Sequence, residues 1–497
     1  MEVKFANDGV FQIELQWINP NQVDGDGSES NRIAMGVLEP GGSVQLNTFS
    51  GHHFAVVLVG EYGDFSQVVM TPGQFDYRFA PGVSGGDGGG GGGDDEGADP
   101  AGLAKAIARK ERAQRTSMML NFKNSVAVKM RNLSGRTLLL WYDDGGDGVM
   151  QARVPPGGDA TTNSYPGHKF CFTELSATNG CSEGLNKMVM NKAQYTHVYD
   201  DGTASTEHKA AWEAELAYST KYYDDNGRHW TAYYPRDPPK LSMWDADFYH
   251  QTHNITTKHS YFHCIPPKDE NWSSHTKKTR KELAKCQDQA DLNLTLRALS
   301  ATPGPRIFEI KDLLSEVETE HIVNLGQSKV KRSMTGQADS AYESDTRTSR
   351  TGWIDRATSP VVDQIFRRTA DLLKIDEALL NSRHNAELLQ VVHYKPGQKY
   401  DAHHDWGVDN KGPTRFVTLL LYLNEPEAGG QTAFPLAKDE STGEPIFTHP
   451  GKGSAVLFYN LLPDGNTDDT TLHAALPVVK GEKWLANFWI WDPYLAI

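Results

Sequence analysis

The sequence predicts a multidomain protein: two small antiparallel β-sandwich domains, then a C-terminal α+β domain whose strands close into a double-stranded β-helix, or jelly roll. Three observations predict it. The first two hundred residues contain a duplication, a glycine tract separates its copies, and from about Pro303 short strand patterns alternate with two helical ones. At 497 residues the chain is long enough for about three domains, each with its own core.

The duplication is colinear. Leu38-Glu39-Pro40-Gly41-Gly42 through Gly51-His52-His53-Phe54 matches Val154-Pro155-Pro156-Gly157-Gly158 through Gly167-His168-Lys169-Phe170 at a constant offset of 116 positions. Upstream, Val3-Lys4-Phe5, Asn7 and Trp17 pair with Val128-Lys129-Met130, Asn132 and Trp141. Downstream, Val69-Met70 and Gln74-Phe75 pair with Val189-Met190 and Gln194-Tyr195. Apolar residues at every second position (Phe11, Ile13, Leu15, Trp17) between Pro-Gly-Gly and Gly-Asp turns read as strands. The expected division is therefore a first β-domain at 1–81, a Gly-rich acidic linker at 82–100, a helical segment at 101–122 and a second β-domain at 123–203. A helical, aromatic-rich connecting region follows at 204–302, and the C-terminal domain at 303–497. Gly88 to Gly93 are six consecutive glycines; such a stretch buries too little apolar surface to fold and serves as a tether.

In the connecting region, Thr206 to Tyr223 reads as an amphipathic helix with Trp212, Leu216 and Ala217 on one face, and Lys277 to Leu299 as a second helix. The C-terminal domain opens with a strand at Arg306 to Ile310 and a helix N-capped by Ser315. A polar loop, Ser328 to Arg350, is expected to close over substrate as a lid, and a helix runs from Pro360 to Leu373. Strands at Leu388 to Tyr394, Arg415 to Leu423, Gly453 to Phe458 and Trp484 to Trp491 complete the jelly roll.

Composition narrows the function classes. The formal net charge is −15, without the basic clustering that nucleic-acid binding needs. No apolar run is long enough to span a bilayer, and the N-terminus lacks a secretory apolar region. Four Asn-x-Ser/Thr sequons (Asn132, Asn254, Asn271, Asn293) leave the compartment open between endoplasmic reticulum and cytoplasm. Of the four cysteines, Cys171 and Cys181 could bridge a loop, with free buried thiols an equal reading.

The chemistry concentrates in the last hundred residues. His403 and Asp405 occupy alternate positions of an extended segment and so share a face. With the distant His473 they make the two-His-one-carboxylate set that holds non-haem Fe(II) while leaving open positions for co-substrate and O2. Lys483, ten residues past the distal His, offers a fixed charge to a carboxylate.

These residues lie within a wider set of motifs. They are Tyr394-x-x-Gly397-Gln398-x-Tyr400-x-x-His403-x-Asp405, Leu421-Tyr422-Leu423-Asn424, Gly429-Gly430-Gln431-Thr432-x-Phe434-Pro435, Gly453-x-Ala455-x-x-Phe458, Leu472-His473-x-x-x-Pro477-Val478 and Gly481-x-Lys483-Trp484 to Trp489-Ile490, with Arg347-Thr348-Ser349 upstream. In that order and spacing they resemble the catalytic domain of the prolyl 4-hydroxylases, Fe(II)- and 2-oxoglutarate-dependent dioxygenases of the procollagen-proline type. The resemblance implies that His403, Asp405 and His473 bind iron. It implies that Lys483 pairs with the distal carboxylate of 2-oxoglutarate beside Tyr394 and Thr432, and that Tyr400, Arg415 and Trp489 line the cavity for a proline in a protein or peptide. It further implies Fe(II), 2-oxoglutarate, O2 and, as an accessory, ascorbate. Where many members carry a His after Trp-Ile, this chain has Trp491, which bears on peptide preference alone.

The two repeats resemble the β-domain of the von Hippel–Lindau family in their strand tryptophan and Ser/Thr-aromatic-x-Gly-His-x-aromatic corner. That resemblance implies hydroxyproline recognition by Trp141, Ser164 and His168. Phe170 and Gln151 depart from the family pattern, as do Thr48 and Phe54 in the first copy. Modules that merely position the enzyme are the favoured reading of the repeats. Two alternatives stand beside prolyl hydroxylation: an Fe(II)/2-oxoglutarate oxygenase acting on another residue or a small molecule, and a hydroxyproline-binding scaffold with a vestigial oxygenase domain.

Overall fold

The computed structural model describes residues 126–146, 148–267, 272, 276–333, 346–382, 384–406 and 414–492, with residues 104 and 107–115 and seven strands of the first repeat. The glycine tether, and the part of the expected lid at 334–345, lie outside the described residues. Residues 107–115 are helical, within the segment expected to be so. The chain forms two compact units, Met1–Leu120 and Asn121–Ile497.

The first unit contains β1 (Glu2–Asn7), β2 (Ile13–Ile18), β3 (Arg32–Leu38), β4 (Ser43–Asn47), β5 (His53–Leu58), β6 (Asp64–Val69) and β7 (Asp76–Phe79). They make a four-stranded sheet ordered β3-β2-β5-β6 and a three-stranded sheet β4-β1-β7. In the second unit come β8 (Val126–Leu133), β9 (Leu138–Asp143), β10 (Val149–Val154), β11 (Asp159–Ser164), β12 (Lys169–Thr173), β13 (Met188–Val189) and β14 (Thr196–Asp200). Their sheets run β10-β9-β12-β13 and β11-β8-β14. The strand order is the same in both stretches, down to the parallel β1/β7 and β8/β14 pairs. Alternate residues Val128, Met130, Leu138, Leu140, Phe170 and Phe172 fill the space between the second pair of sheets. Register changes one pairing read from the sequence. Trp17 lies opposite Phe54, whereas Tyr142, not Trp141, lies opposite Phe170; a one-residue offset reverses the face.

Helix Thr206–Asn226 follows, capped by the Ser205 hydroxyl and ended by Gly227 at φ 68°. Its buried positions are Glu215 and Tyr222, and Trp212 is half-buried with the Arg131 guanidinium 5.1 Å over its ring, while Leu216 and Ala217 are exposed, which corrects the expected face at those two positions. The reason is charge. Glu215 takes Lys129 Nζ at 3.0 Å and Arg131 at 2.7 Å, so the inward face is built on ion pairs that apolar periodicity does not register. Tyr222 donates to Asp464 at 2.7 Å, and the helix thereby ties the second repeat to the C-terminal domain. A second correction falls on Lys277 to Leu299: only Lys277–Leu283 is helical, and Leu292–Ala298 is strand. There Leu294, Leu296 and Ala298 are buried at every second position, the period of a strand. The cysteines form two disulfides, Cys171–Cys181 and Cys264–Cys286, so the free-thiol reading does not hold. Asn132 is fully buried and donates to the Arg136, Val154 and Pro155 carbonyls, which makes its sequon a structural asparagine.

The remaining strands are β15 (Thr252–Thr257), β16 (Leu292–Ala298), β17 (Ile307–Ile310), β18 (Lys331–Arg332), β19 (Arg350–Ile354), β20 (Leu389–Tyr394), β21 (Tyr400–His403), β22 (Thr414–Tyr422), β23 (Ala428–Gly429), β24 (Thr432–Lys438), β25 (Pro445–Thr448), β26 (Ala455–Tyr459), β27 (His473–Ala475), β28 (Val478–Lys480) and β29 (Lys483–Asp492). A nine-stranded sheet, β15-β16-β17-β26-β22-β29-β20-β19-β18, faces a four-stranded one, β21-β27-β24-β25. Residues 204–302 thus supply its first two strands. Leu420, Tyr422, Phe434, Val456, Phe458 and Leu485 pack into one of the domain's apolar cores. In the larger core, Ile322 and Phe366 from helices Glu316–Gln327 and Pro360–Leu373 pack with strand residues such as Val391 and Phe488. Ser315 and Glu318 form a capping box on the first of these. Glu318 also receives both terminal nitrogens of Arg368 at 2.8 Å, with neither side chain exposed.

Candidate active site

Strands β21 and β27 pair with His403 opposite His473, and this pairing brings together residues far apart in sequence. The donor atoms of His403, Asp405 and His473 all lie within 4.8 Å of one another. Each His Nε2 stands 3.7 Å from an Asp405 oxygen. Their Nδ1 atoms meet backbone carbonyls, Asp401 at 2.9 Å and Thr471 at 3.0 Å. A carbonyl can only accept, so both rings carry the proton on Nδ1 and turn a free Nε2 lone pair inward. Asp405 Oδ2 accepts from Thr418 Oγ1 at 2.7 Å and Trp489 Nε1 at 2.9 Å, and Asn460 holds Thr418 in turn. Burial would raise the Asp405 pKa; His473, His403, Arg415 and the Trp489 bond together hold it well below the carboxylate range. Burial, joined by His473, pushes His403 well down. Two imidazole Nε2 atoms and one carboxylate, all facing one another, suit a ferrous ion.

A second group lies on strands β20, β22, β24 and β29. Lys483 is wholly buried; its Nζ donates to the Gly430 carbonyl at 2.6 Å and lies 5.7 and 5.4 Å from the Tyr394 and Tyr422 rings. Burial lowers its pKa to about 7, the mark of an ammonium short of a counter-charge. Tyr422 donates to Thr432 at 2.7 Å. His449 packs its ring 5.0 Å from Tyr422, and both its ring nitrogens are buried without a partner among the described residues. The chemistry of these groups suits a dicarboxylate, which would supply the anion Lys483 lacks and an acceptor for a His449 N–H.

The third group forms a cleft of about 600 Å³ that includes His403, Asp405, Tyr400, Arg415, Trp489, Arg347, Gln390 and Trp353 in its wall. Arg415 makes a two-point ion pair with Glu387 at 2.6 and 3.0 Å and lies 3.7 Å over the Trp489 ring. Trp491 donates to the same Glu387 at 2.8 Å. The residue standing in place of a His therefore holds the carboxylate that aims Arg415. Tyr400 stacks on His403 at 3.6 Å beneath the Arg347 guanidinium.

All nine expected site residues thus fall in these three groups. The sequence reading missed Thr418, Asn460, His449, Gln390 and Glu387. Thr418 had a signal, a lone hydroxyl in the apolar run Phe416 to Leu421; His449 had none. The trio expected to read hydroxyproline is split. Ser164 and His168 meet at 3.1 Å beside Tyr142, but Trp141 lies on the opposite sheet face, bonded to Thr173 at 2.9 Å.

Comparison with known proteins agrees with this geometry. Residues 389–491 match the model of the 2OG-Fe(II) oxygenase superfamily, and the C-terminal domain is an oxygenase domain of that class, using Fe(II), 2-oxoglutarate and O2. Probable prolyl 4-hydroxylase 4 of Arabidopsis thaliana is 35% identical over 206 residues, 37% of this chain and 67% of its own length; probable prolyl 4-hydroxylase 6 is 35% identical with 69% of its length covered. The chain belongs to the prolyl 4-hydroxylase family. It spans 62% of the length of another relative, probable prolyl 4-hydroxylase 7, at 34% identity and 37% of this chain. Among solved structures, a viral collagen prolyl hydroxylase of Paramecium Bursaria Chlorella virus-1 in complex with 2OG is 31% identical. It covers 37% of this chain and 95% of that one, with a TM-score of 0.29.

Proposed function

We propose that the protein hydroxylates proline in a protein or peptide, coupling the reaction to oxidative decarboxylation of 2-oxoglutarate to succinate and CO2. The carrying observation is the inward convergence of His403, Asp405 and His473 in the domain that also buries Lys483 without a counter-charge among the described residues. In this reading His403, Asp405 and His473 hold Fe(II), which with 2-oxoglutarate and O2 supplies the oxidising power when bound. Lys483 takes the distal carboxylate, Tyr394 and Thr432 wall the pocket, and His449 adds a polar contact. Tyr400, Arg415 and Trp489 position the proline ring, its flat apolar faces against aromatic faces. Trp489 serves both sides, walling the substrate and orienting the carboxylate of Asp405. The faces of Tyr400 and Trp489, packed against the proline ring, would keep water from the reacting C–H bond.

The domain spans read from the sequence remain our proposed division of the chain, except that the sheet of the C-terminal domain begins at Thr252 rather than after 303. Hydroxyproline recognition by the second repeat rests on Ser164 and His168 alone, and equal affinity for proline and hydroxyproline peptides would end it. Two disulfides support an oxidising compartment over the cytoplasm. The test of the main proposal is mass spectrometry of proline-rich peptides after incubation with the full chain, Fe(II) and 2-oxoglutarate. A one-oxygen gain on proline, lost in His403→Ala and Lys483→Ala, is expected. Absence of 2-oxoglutarate turnover with every peptide would leave the scaffold alternative instead.

A further inference from the structure

The protein carries a formal charge of −15, yet the described wall of the candidate cleft holds five lysines and arginines. Around the iron-proximal pocket stand Lys329, Lys331, Arg332, Arg347 and Arg415, and among the described residues Asp405 is the one carboxylate in the wall. Arg415 is matched by Glu387. Lys329 and Lys331 are exposed, and among the described residues neither faces a carboxylate; Lys329 reaches only the Trp353 carbonyl, at 3.4 Å.

Position makes this more than a charged rim. Lys331 on the edge strand β18 lies opposite Thr351 of β19, Thr351 opposite Val392 and Trp353 opposite Gln390 of β20. Gln390 in turn faces Asn487 of β29, two positions from Trp489. Paired residues share a sheet face, so Lys331, Trp353, Gln390 and Trp489 look into one cleft. Trp353 remains 41% exposed there, its ring 6.2 Å from Trp489, which gives a peptide an apolar shelf between the site and the lysines. Edge strands often carry lysine to deter sheet pairing. That purpose does not require Lys329, Lys331, Arg332 and Arg347 to converge on the reactive cleft, as they do.

We propose that the substrate is an acidic peptide, with a carboxylate-bearing residue lying over Trp353 toward Lys329 and Lys331, and that these lysines set peptide specificity. Three strand intervals separate β18 from β29, about 14 Å, or roughly four residues of extended peptide from the target proline. A local cationic cleft on an anionic protein also speeds capture of acidic peptides and repels basic ones. This inference rests on the proline-hydroxylase reading, and the experiment separates the two.

Fluorescence anisotropy of the full chain with 2-oxoglutarate compares three labelled proline peptides carrying Glu, Gln or Lys at three to five residues from proline, on either side. The Glu peptide is expected to bind about tenfold more tightly than the Gln peptide, with the gap shrinking at high salt, and the Lys peptide weakest. Lys329→Glu and Lys331→Glu each reverse the order; both residues are exposed, and Lys331→Gln gives a milder check that flattens it. Equal affinity of the Glu and Gln peptides overturns the inference, as does a Glu preference that persists in both Glu variants. Failure of the underlying reading shows separately, as no oxygen gain on any of the three peptides at saturating concentration.

Discussion

On the proposed reading, Lys483 is the residue whose charge state decides co-substrate binding. With its pKa lowered to about 7 by burial, the ammonium of the free protein is present below that pH and is lost above it. A carboxylate binds the ammonium, so each unit of pH above about 7 should cost roughly tenfold in 2-oxoglutarate affinity, with a plateau below. Anaerobic calorimetry across pH 6 to 9 measures this, and Lys483→Met should remove the slope and weaken binding on the order of a hundredfold. At Trp489 the prediction concerns the metal. Trp489→Phe keeps the ring but deletes the bond to Asp405. Loss of such a supporting contact lowers metal affinity by about 10- to 100-fold, readable by competition with a chelator.

At the scale of elements, the helix Pro360–Leu373 is held to Glu316–Gln327 by one buried ion pair. Arg368 also donates to the His259, Ser260 and Leu313 carbonyls, so several loops depend on it. Arg368→Met strands Glu318 without a counter-charge and should cost about 3–5 kcal/mol of stability in a denaturant titration; adding Glu318→Leu should restore part of that. Helix Pro360–Leu373 itself was legible in the sequence because Ser359 caps it, Pro360 starts it and its apolar face repeats at helical period. Strand β16 was misread because Lys277–Leu283, a true helix, runs on into leucines that suit either period. Helix Thr206–Asn226 was found, with Trp212 alone of its inward face, since ion pairing rather than apolar burial selects Glu215.

Across the whole second unit, Glu215 fastens the repeat to the helix that leads into the oxygenase domain. Glu215→Leu leaves Lys129 and Arg131 buried without their carboxylate, although Asp159 still meets Arg131 at 2.6 Å. About 3–5 kcal/mol of stability should be lost, seen as a lower thermal midpoint, while 2-oxoglutarate affinity, set far away at Lys483, stays level. Tyr222 and Asp464 continue the same connection. The helix is thus one connection between the repeat and the oxygenase; Tyr195, stacked on His229 at 5.6 Å, adds another.

Sequence by itself determined the oxygenase class and its convergent triad: His403-x-Asp405 and His473 sit in local strand and turn contexts whose motif spacing survives in one dimension. It also determined the duplication and the main strands of the jelly roll, since period-2 burial is a local property. Only the tertiary structure decided the partners reached across sheets. The carbonyls that fix both imidazole tautomers, the Thr418 and Trp489 bonds to Asp405, the orphaned nitrogens of His449 and the cationic row beside Trp353 all come from strands distant in sequence. The same holds for Trp141, whose face depends on a one-residue register that pairing alone sets.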